Sequence, residues 1–316
     1  MAAQPLFVSS GDLVTDRRYR WALDYLKRGD VQAAADVLAQ VVEVAPRFAT
    51  AWFALATIRE QLGDRPGAVA AFRAAHEADH EDYHGARLHL ARLGNGDATP
   101  AMTATYVRRL FDQHAPEFER SLVEGLGYRG PALLMDALAK IGNVPLQFGS
   151  VLDLGCGTGL AGAAIRRHCD RLAGVDLSPA MIERARAKGI YDRLAAGDLQ
   201  AFLAAETGTQ HDLVLAADVF VYCSDLVPII AGTARVLAAG GQFAFTVETH
   251  DGSGIRLQPT LRYAHGIAHV RDAVGRAGLQ LVYLEPIPTR REKNEWLPGL
   301  VAVASAPPPS DARLAP

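Results

Sequence analysis

The run Val151-Leu-Asp-Leu-Gly-Cys-Gly-Thr-Gly159 restricts what this chain can fold into more than any other stretch. It reads as an apolar strand ending in an acid, then a glycine-rich turn, then a helix that begins near Leu160. Gly155, Gly157 and Gly159 can take the positive-φ conformations of a tight turn and place no Cβ between backbone and ligand. The first N–H groups of the following helix have no intrahelical partner and offer donors to an anionic group. Asp153, at the carboxyl end of the strand, adds a fixed acceptor to the same pocket. A strand, turn and helix of this kind belong to an open α/β sheet that binds its ligand at the carboxyl ends of its strands.

The pattern recurs downstream. Leu172-Ala-Gly-Val-Asp176 is an apolar run ending in a carboxylate 23 positions after Asp153, the distance of one crossover helix and a second parallel strand. Ser178-Pro179 caps and starts the next helix. Leu194-Ala-Ala-Gly-Asp198 reads as a third strand, His211 to Asp218 as a fourth, and Ala239 to Phe245 as the turn into a fifth. Glu248 to His265 reads as a long loop, Gly266 to Ala277 as a helix, Leu279 to Leu284 as a sixth strand and Leu300 to Ala304 as a seventh, inserted antiparallel. Any one of the strand-end acids reads equally well as a helix cap. Asp153, Asp176, Asp198 and Asp218 in order, behind the glycine turn, read as one binding edge.

Gly157-x-Gly159-x-x-Gly162 also fits the dinucleotide fingerprint, but there the first glycine stands directly at the strand end, whereas here Asp-Leu-Gly-Cys intervenes. Val151 to Gly159 instead resembles the first motif of the class I S-adenosylmethionine-dependent methyltransferases. The resemblance covers about Tyr106 to Ser305 and is densest over Val151 to Asp218. It implies an α/β, Rossmann-like sheet of seven strands, mostly parallel with the last antiparallel, and S-adenosyl-L-methionine as cofactor. Asp153, Gly155, Cys156, Gly157 and Gly159 would surround the methionine part. Asp176 would accept the ribose hydroxyls, with Leu177 and Met181 beside it. Asp198 and Leu199 would receive the adenine, and Asp218 would open the acceptor pocket. A helix with the pattern Phe111-Asp112-x-x-Ala115-x-x-Phe118 folds over the cofactor in similar enzymes, so Tyr106 and Phe111 are candidates for closing the site. The Asn/Asp-Pro-Pro-Tyr motif of amino-methylating nucleic-acid enzymes is absent at Asp218-Val-Phe-Val.

Methyl transfer needs an acceptor held in line and, where that acceptor starts protonated, a base. His265 and Tyr222 are the catalytic candidates, with Tyr263 and Glu248 behind them; His265 leads because an imidazole titrates near neutrality. Each reads alternatively as an ordinary loop or packing residue.

The first hundred residues carry an internal repeat. Gly29-Asp30 recurs as Gly63-Asp64, Ala34 as Ala68 and Leu38 as Phe72, an offset of 34. That is the tetratricopeptide period, and the segment resembles those repeats. Repeats of this type serve protein binding; a lid or a dimerisation surface is an equal reading. With the tetratricopeptide unit and Phe111 to Pro131 together, the chain resembles a bacterial group of methyltransferases with attached repeats. The expected organisation is an all-α repeat domain over 1–96, a linker with cap helices over 97–145, the methyltransferase domain over 146–305, and a disordered Pro- and Ala-rich tail over 306–316.

Composition excludes other classes. A net charge of −3, with no basic run interleaved with aromatics, leaves no footprint for nucleic acid. No window is apolar and long enough to cross a bilayer, and no leader is visible, so a cytoplasmic protein is expected. Cys156, Cys169 and Cys223 are too scattered for a zinc site or disulfide framework. His76, His80, His84 and His89 cluster, but packing is the commoner use of such histidines and no metal is expected. The functions left are methyl transfer to a small-molecule acceptor, methyl transfer to a protein recruited by the repeats, and a non-catalytic interaction protein.

Overall fold

The computed structural model describes residues 9–99, 101–142, 146–208, 210–292 and 295–308. The chain divides into two compact units, Met1–Tyr106 and Val107–Pro316. The division falls within the connecting segment expected at 97–145.

The described elements of the first unit are helices: α1 (Leu13–Lys27), α2 (Val31–Val44), α3 (Ala49–Gln61), α4 (Arg65–Ala78) and α5 (Ala86–Arg92). The repeated Gly-Asp pairs explain the repeated hairpins. Gly29 and Gly63 have φ of 81° and 82° and end α1 and α3. The N–H of Asp30 and of Asp64 then bonds back to the carbonyls of Tyr25 and Arg59, while each Asp side chain accepts an N–H of the next helix. Alanines 34, 35, 51, 54, 56, 68, 71 and 75 let the helices approach, and Tyr19, Leu38, Leu55 and Phe72 fill the space between them.

Two of the clustered histidines, His84 and His89, pack within the helical unit, whereas His80 is exposed. His84 stacks on Phe53 and bonds Thr50, and His89 stacks on Phe72. Burial drives the His89 imidazole down to about 3, assisted by Arg92. A histidine whose folded pKa lies below its unfolded value stabilises the fold above the unfolded pKa, and that contribution is lost as pH falls through the folded one. The helical unit is therefore expected to lose stability as pH drops from about 6.5 toward 3. Urea midpoints followed at 222 nm should show a shallower acid limb in His89→Phe than in the parent chain, and parallel limbs would refute the assignment.

The second unit is built on a sheet. After α6 (Ala104–His114), which begins before the division, come a π-helical turn (Arg120–Gly125) and α7 (Gly130–Ile141), started by Pro131. Then follow β1 (Phe148–Leu154), α8 (Leu160–Ile165), β2 (Cys169–Asp176), α9 (Pro179–Ala187), β3 (Arg193–Ala196), α10 (Leu199–Ala205) and β4 (His211–Ala216). A 3₁₀ turn (Phe220–Tyr222) leads to α11 (Val227–Val236), β5 (Leu237–Glu248), β6 (Ile255–Leu257), β7 (Tyr263–His265), α12 (Ile267–Arg276) and β8 (Gln280–Pro286). The short β9 (Arg291–Glu292) and β10 (Glu295–Trp296) precede β11 (Gly299–Ser305).

Among the described residues the main sheet runs β3-β2-β1-β4-β5-β11-β8, parallel from β3 to β5, with β11 antiparallel to both neighbours. This is the Rossmann-like sheet expected from the sequence. The inner strands β1, β4 and β11 are buried on both faces, whereas the edge strands β3 and β8 are only partly covered. Leu152, Val214, Phe243, Phe245 and Ala302 enter one core layer, whereas Val151, Leu213, Leu215, Ala244 and Val301 enter the other. Phe220, Phe243 and Phe245 pack ring on ring with centroids 4.7–6.1 Å apart.

Two expectations need amendment. Glu248 to His265 is not a loop throughout: β6 and β7 form a hairpin, and Ala264 of β7 pairs with Glu248 at the end of β5. Backbone pairing against an existing strand end orders this segment, whose three-residue strands are too short to announce themselves by alternation. The expected tail at 306–316 lies mostly outside the described residues, but Ala306 and Pro307 still bond Gly241 and Gly240.

Candidate active site

The carboxyl ends of β1, β2 and β4 bring the glycine turn and its acids together. Gly155, Gly157 and Gly159 have φ of 63°, 54° and 90°. Gly155 also needs its missing Cβ for space, because an added Cβ would lie 2.5 Å from Val219. Asp176 ties the turn to the next strand: Oδ2 accepts the N–H of Gly157 at 2.8 Å and Oδ1 that of Ser178 at 2.8 Å. Ser178 Oγ caps α9 through the Met181 N–H and donates to Asp112 at 2.5 Å. Through Asp112 the end of α6 is docked beside the turn, and the Phe118 ring reaches to about 4 Å of where a Cβ of Gly157 would stand. Lys188 and Glu119 clip the following segment at 2.6 Å.

Asp153 is only 1% exposed. One oxygen accepts the Tyr191 hydroxyl at 2.6 Å; the other is buried and has no hydrogen-bond partner among the described residues. Burial raises its carboxyl to about 7 against the pull of the Tyr191 bond, with Asp176 adding to the rise. Asp176 is raised to about 6, again chiefly by burial, while the Ser178 and Gly157 N–H groups lower it. Tyr191 was not singled out from the sequence. Its ring lies against Gly159, Gly162 and Gly174, so the third glycine of the Gly-x-Gly-x-x-Gly pattern makes room for this phenol. Cys156 is buried and its thiol pushed well up by burial and by Asp153, so it is a packing group in the turn.

The other expected residues are placed as follows. Met181 is fully buried under α9, and Leu199 packs against the sheet core. Leu177 is half-buried beside Asp176. Asp198 is exposed and caps α10 through the Ala201 N–H at 2.9 Å. Tyr106 belongs to the first unit, where its ring lies against Gly85.

Beyond β4 stands a second charged group. Asp218 is held at φ 59° by a bond from its N–H to Thr246 Oγ1 at 2.8 Å; an aspartate tolerates that conformation better than a β-branched residue would. Arg262, on the β6–β7 turn, places its guanidinium 3.9 Å from Asp218 and 3.3 Å from Glu248, and donates to the Tyr222 hydroxyl at 3.0 Å. Arg290 donates to the same Glu248 oxygen at 2.8 Å. Burial raises the Tyr222 phenol to about 12. Tyr128 is near enough to Asp218 and Asp153 for both charges to add to the upward push of burial.

His265 is not an exposed loop imidazole. It is fully buried on β7, its Nε2 3.1 Å from the Phe220 carbonyl, and burial lowers it to about 4. The near-neutral titration that recommended it from the sequence is therefore absent. Tyr263 is likewise fully buried.

On the same edge of the sheet, past the end of β5, opens a cavity of about 800 Å³ lined by Thr249, Ile267, Arg271, Pro286, Trp296 and Leu300, among others.

Residues 152–245 match the methyltransferase domain family, and residues 19–82 match the tetratricopeptide repeat family. The chain carries a methyltransferase domain behind tetratricopeptide repeats. It is 29% identical over 194 residues to human methyltransferase-like protein 27, covering 60% of this chain and 74% of that one. It is 29% identical over 142 residues to the ubiquinone biosynthesis O-methyltransferase of Xylella fastidiosa, covering 44% of this chain and 54%, about half, of the relative. The solved structure of the cyclase SpnF superposes with a TM-score of 0.53 at 17% identity, over 65% of this chain and 97% of that one. The last shows a shared fold, and a fold can host more than one reaction. The chemistry of this domain therefore lies in its own site residues.

Proposed function

We propose that the chain is an S-adenosylmethionine-dependent methyltransferase acting on a small-molecule acceptor. The observation that carries this reading is Asp176, a buried carboxylate that joins the glycine turn to the end of β2. The residues fit the cofactor: two carboxylates, one with an oxygen lacking a partner among the described residues, suit its hydroxyl and ammonium donors, and three positive-φ glycines place no Cβ in its path. When bound, the cofactor supplies a methyl group on a sulfonium, already activated for in-line displacement. The protein's part is to hold and orient. Asp176 would accept the ribose hydroxyls. Asp153 would keep the turn in shape through Tyr191. Asp112, Phe111 and Phe118 would keep water from the turn.

An acceptor would enter past Asp218, where Tyr222, Arg262 and Glu248 offer polar groups. The cavity of about 800 Å³ past the end of β5 is lined by none of these residues. With Tyr222 accepting from Arg262, its own O–H remains to donate to an acceptor oxygen.

Calorimetric titration with S-adenosylmethionine, S-adenosylhomocysteine and NAD tests the reading. Binding of the first two alone is expected, and binding of NAD alone would replace the reading by a dinucleotide one. The acids add a pH signature. Their folded-state pKa values, about 7 for Asp153 and about 6 for Asp176, lie above the unfolded values, so the empty protein loses their stabilising contribution as pH rises from about 4 through 7. Hydrogen-bond donors on a ligand favour the ionised carboxylates. Cofactor affinity should therefore climb between about pH 5.5 and 8, and a flat profile would remove both acids from the site.

A further inference from the structure

Of the four acids near the strand ends, three are used by the fold. Asp153 accepts the Tyr191 hydroxyl, Asp176 accepts two backbone N–H groups, and Asp198 caps α10. The carboxylate of Asp218 accepts no hydrogen bond among the described residues. Its one ion-pair contact there is Arg262 at 3.9 Å, too far for a hydrogen bond, and that guanidinium is already engaged by Glu248 at 3.3 Å and the Tyr222 hydroxyl at 3.0 Å. The Asp218 side chain is nonetheless only 13% exposed, and its backbone is held at φ 59°. A buried carboxylate without donors and a strained backbone both work against folding, so stability does not account for either. The residue also adjoins the glycine turn. Val219, next in the chain, presses on Gly155, and Tyr222 meets the Phe111 ring with centroids 5.1 Å apart.

Resting on the methyltransferase reading, we infer that Asp218 is the general base of the reaction and that the acceptor carries a phenolic hydroxyl. Two neighbours of the acceptor atom select that group. Tyr222, with Arg262 donating to its oxygen, has its own O–H left to give, so the acceptor atom receives a hydrogen bond. Asp218 has only lone pairs to offer, so the same atom must also give one. A hydroxyl does both, whereas a carboxylate has no proton to give and an ammonium has no lone pair to receive with. Among hydroxyls, a phenol ionises at about 10, far below an alcohol. That lies within reach of a carboxylate that burial raises and Arg262 pulls back. The Phe111 and Tyr222 rings suit an aromatic acceptor. In the step, a lone pair of the phenol oxygen forms the bond to the methyl carbon of S-adenosylmethionine as the carbon–sulfur bond breaks, and the electron pair of that bond stays on sulfur. The phenol proton passes to a carboxylate oxygen of Asp218 and from there to solvent. The methyl ether left behind has no proton for Asp218 and is held less well than the phenol was.

Two measurements test it. The first needs no acceptor: the urea midpoint of the full chain at about pH 8 is compared with that of Asp218→Asn, whose side chain tolerates the same φ. The variant should be at least as stable as the parent. A midpoint below the parent's would make Asp218 a structural ion-pair partner and overturn the proposal. The second follows methyl transfer from S-adenosylmethionine to catechol, benzoate and benzylamine by mass spectrometry, with calorimetric binding of S-adenosylmethionine to the parent alongside. Catechol alone should be methylated. In Asp218→Asn kcat for catechol should fall at least about 100-fold, and the rise of the parent's rate with pH through the Asp218 titration should vanish. A smaller loss in kcat, or a pH profile that keeps its rise, overturns the base assignment. A parent that binds S-adenosylmethionine yet leaves catechol unmethylated, or methylates benzoate or benzylamine, overturns the phenol assignment. A parent that binds no S-adenosylmethionine fails earlier, at the methyltransferase reading, and takes the proposal with it.

Discussion

Asp176→Ala is expected to abolish measurable binding of S-adenosylmethionine, a loss of at least about 100-fold in affinity. Two hydroxyl donors on a carboxylate are charge-assisted bonds of about 1.5–3 kcal/mol each, so losing both removes about 3 kcal/mol or more. The carboxylate also receives the N–H groups of Gly157 and Ser178, and without it the turn loses the tie that holds its shape. Asp176→Asn separates the two effects. The amide keeps one acceptor for the backbone and presents a donor where the second acceptor stood, so its affinity should fall between parent and alanine variant. Calorimetry on all three proteins, with circular dichroism to confirm folding, makes the measurement. Parent-like affinity in Asp176→Ala would remove Asp176 from the binding site.

Glu248→Ala is expected to destabilise the methyltransferase unit by about 3 kcal/mol or more. Glu248 is 4% exposed, and one of its oxygens receives both Arg262 and Arg290, the latter 2% exposed with its Nε already lacking a partner among the described residues. Removing one member of a buried pair leaves the other charge uncompensated at a cost of about 3–5 kcal/mol, whereas replacing both by apolar residues can be close to neutral. Glu248→Met combined with Arg290→Met should therefore be more stable than Glu248→Ala. Urea denaturation of the three proteins decides, and equal midpoints for the parent and Glu248→Ala would show that the cluster is solvated.

The sheet was legible because parallel strands buried on both faces write short apolar runs, and because an Asp stands in or just past each run near the site. Asp153 lies within the run 151–154, Asp176 ends the run 172–176, and Asp218 follows the run 211–216 by two residues. The β6–β7 hairpin was not legible, since each strand is three residues long, too short for the alternation at Ile255-Arg-Leu257 to register, and β7 is joined to the sheet only through the end of β5. The same limit applies to the site. The glycine turn and Asp176 lie within one contiguous βαβ stretch and can be read as a unit. Tyr191 reaches Asp153 from 38 positions away and Arg290 reaches Glu248 from 42, and nothing around either residue in the chain marks its partner. His265 shows the opposite error: residue type suggested a titrating group, and burial, which sequence position does not reveal, removes that property.

The place of β11 has a consequence for how the protein is made. This strand is later in the chain than every other strand of the sheet, yet it sits inside it, between β5 and β8. During synthesis the repeat helices, with their local contacts, can fold as soon as they emerge. The sheet, in contrast, keeps the edges of β5 and β8 unpaired until residues 299–305 leave the ribosome. A ribosome stalled between β8 and β11 should hold a folded helical unit attached to a protease-sensitive sheet, and those two apolar edges are where a chaperone would be needed.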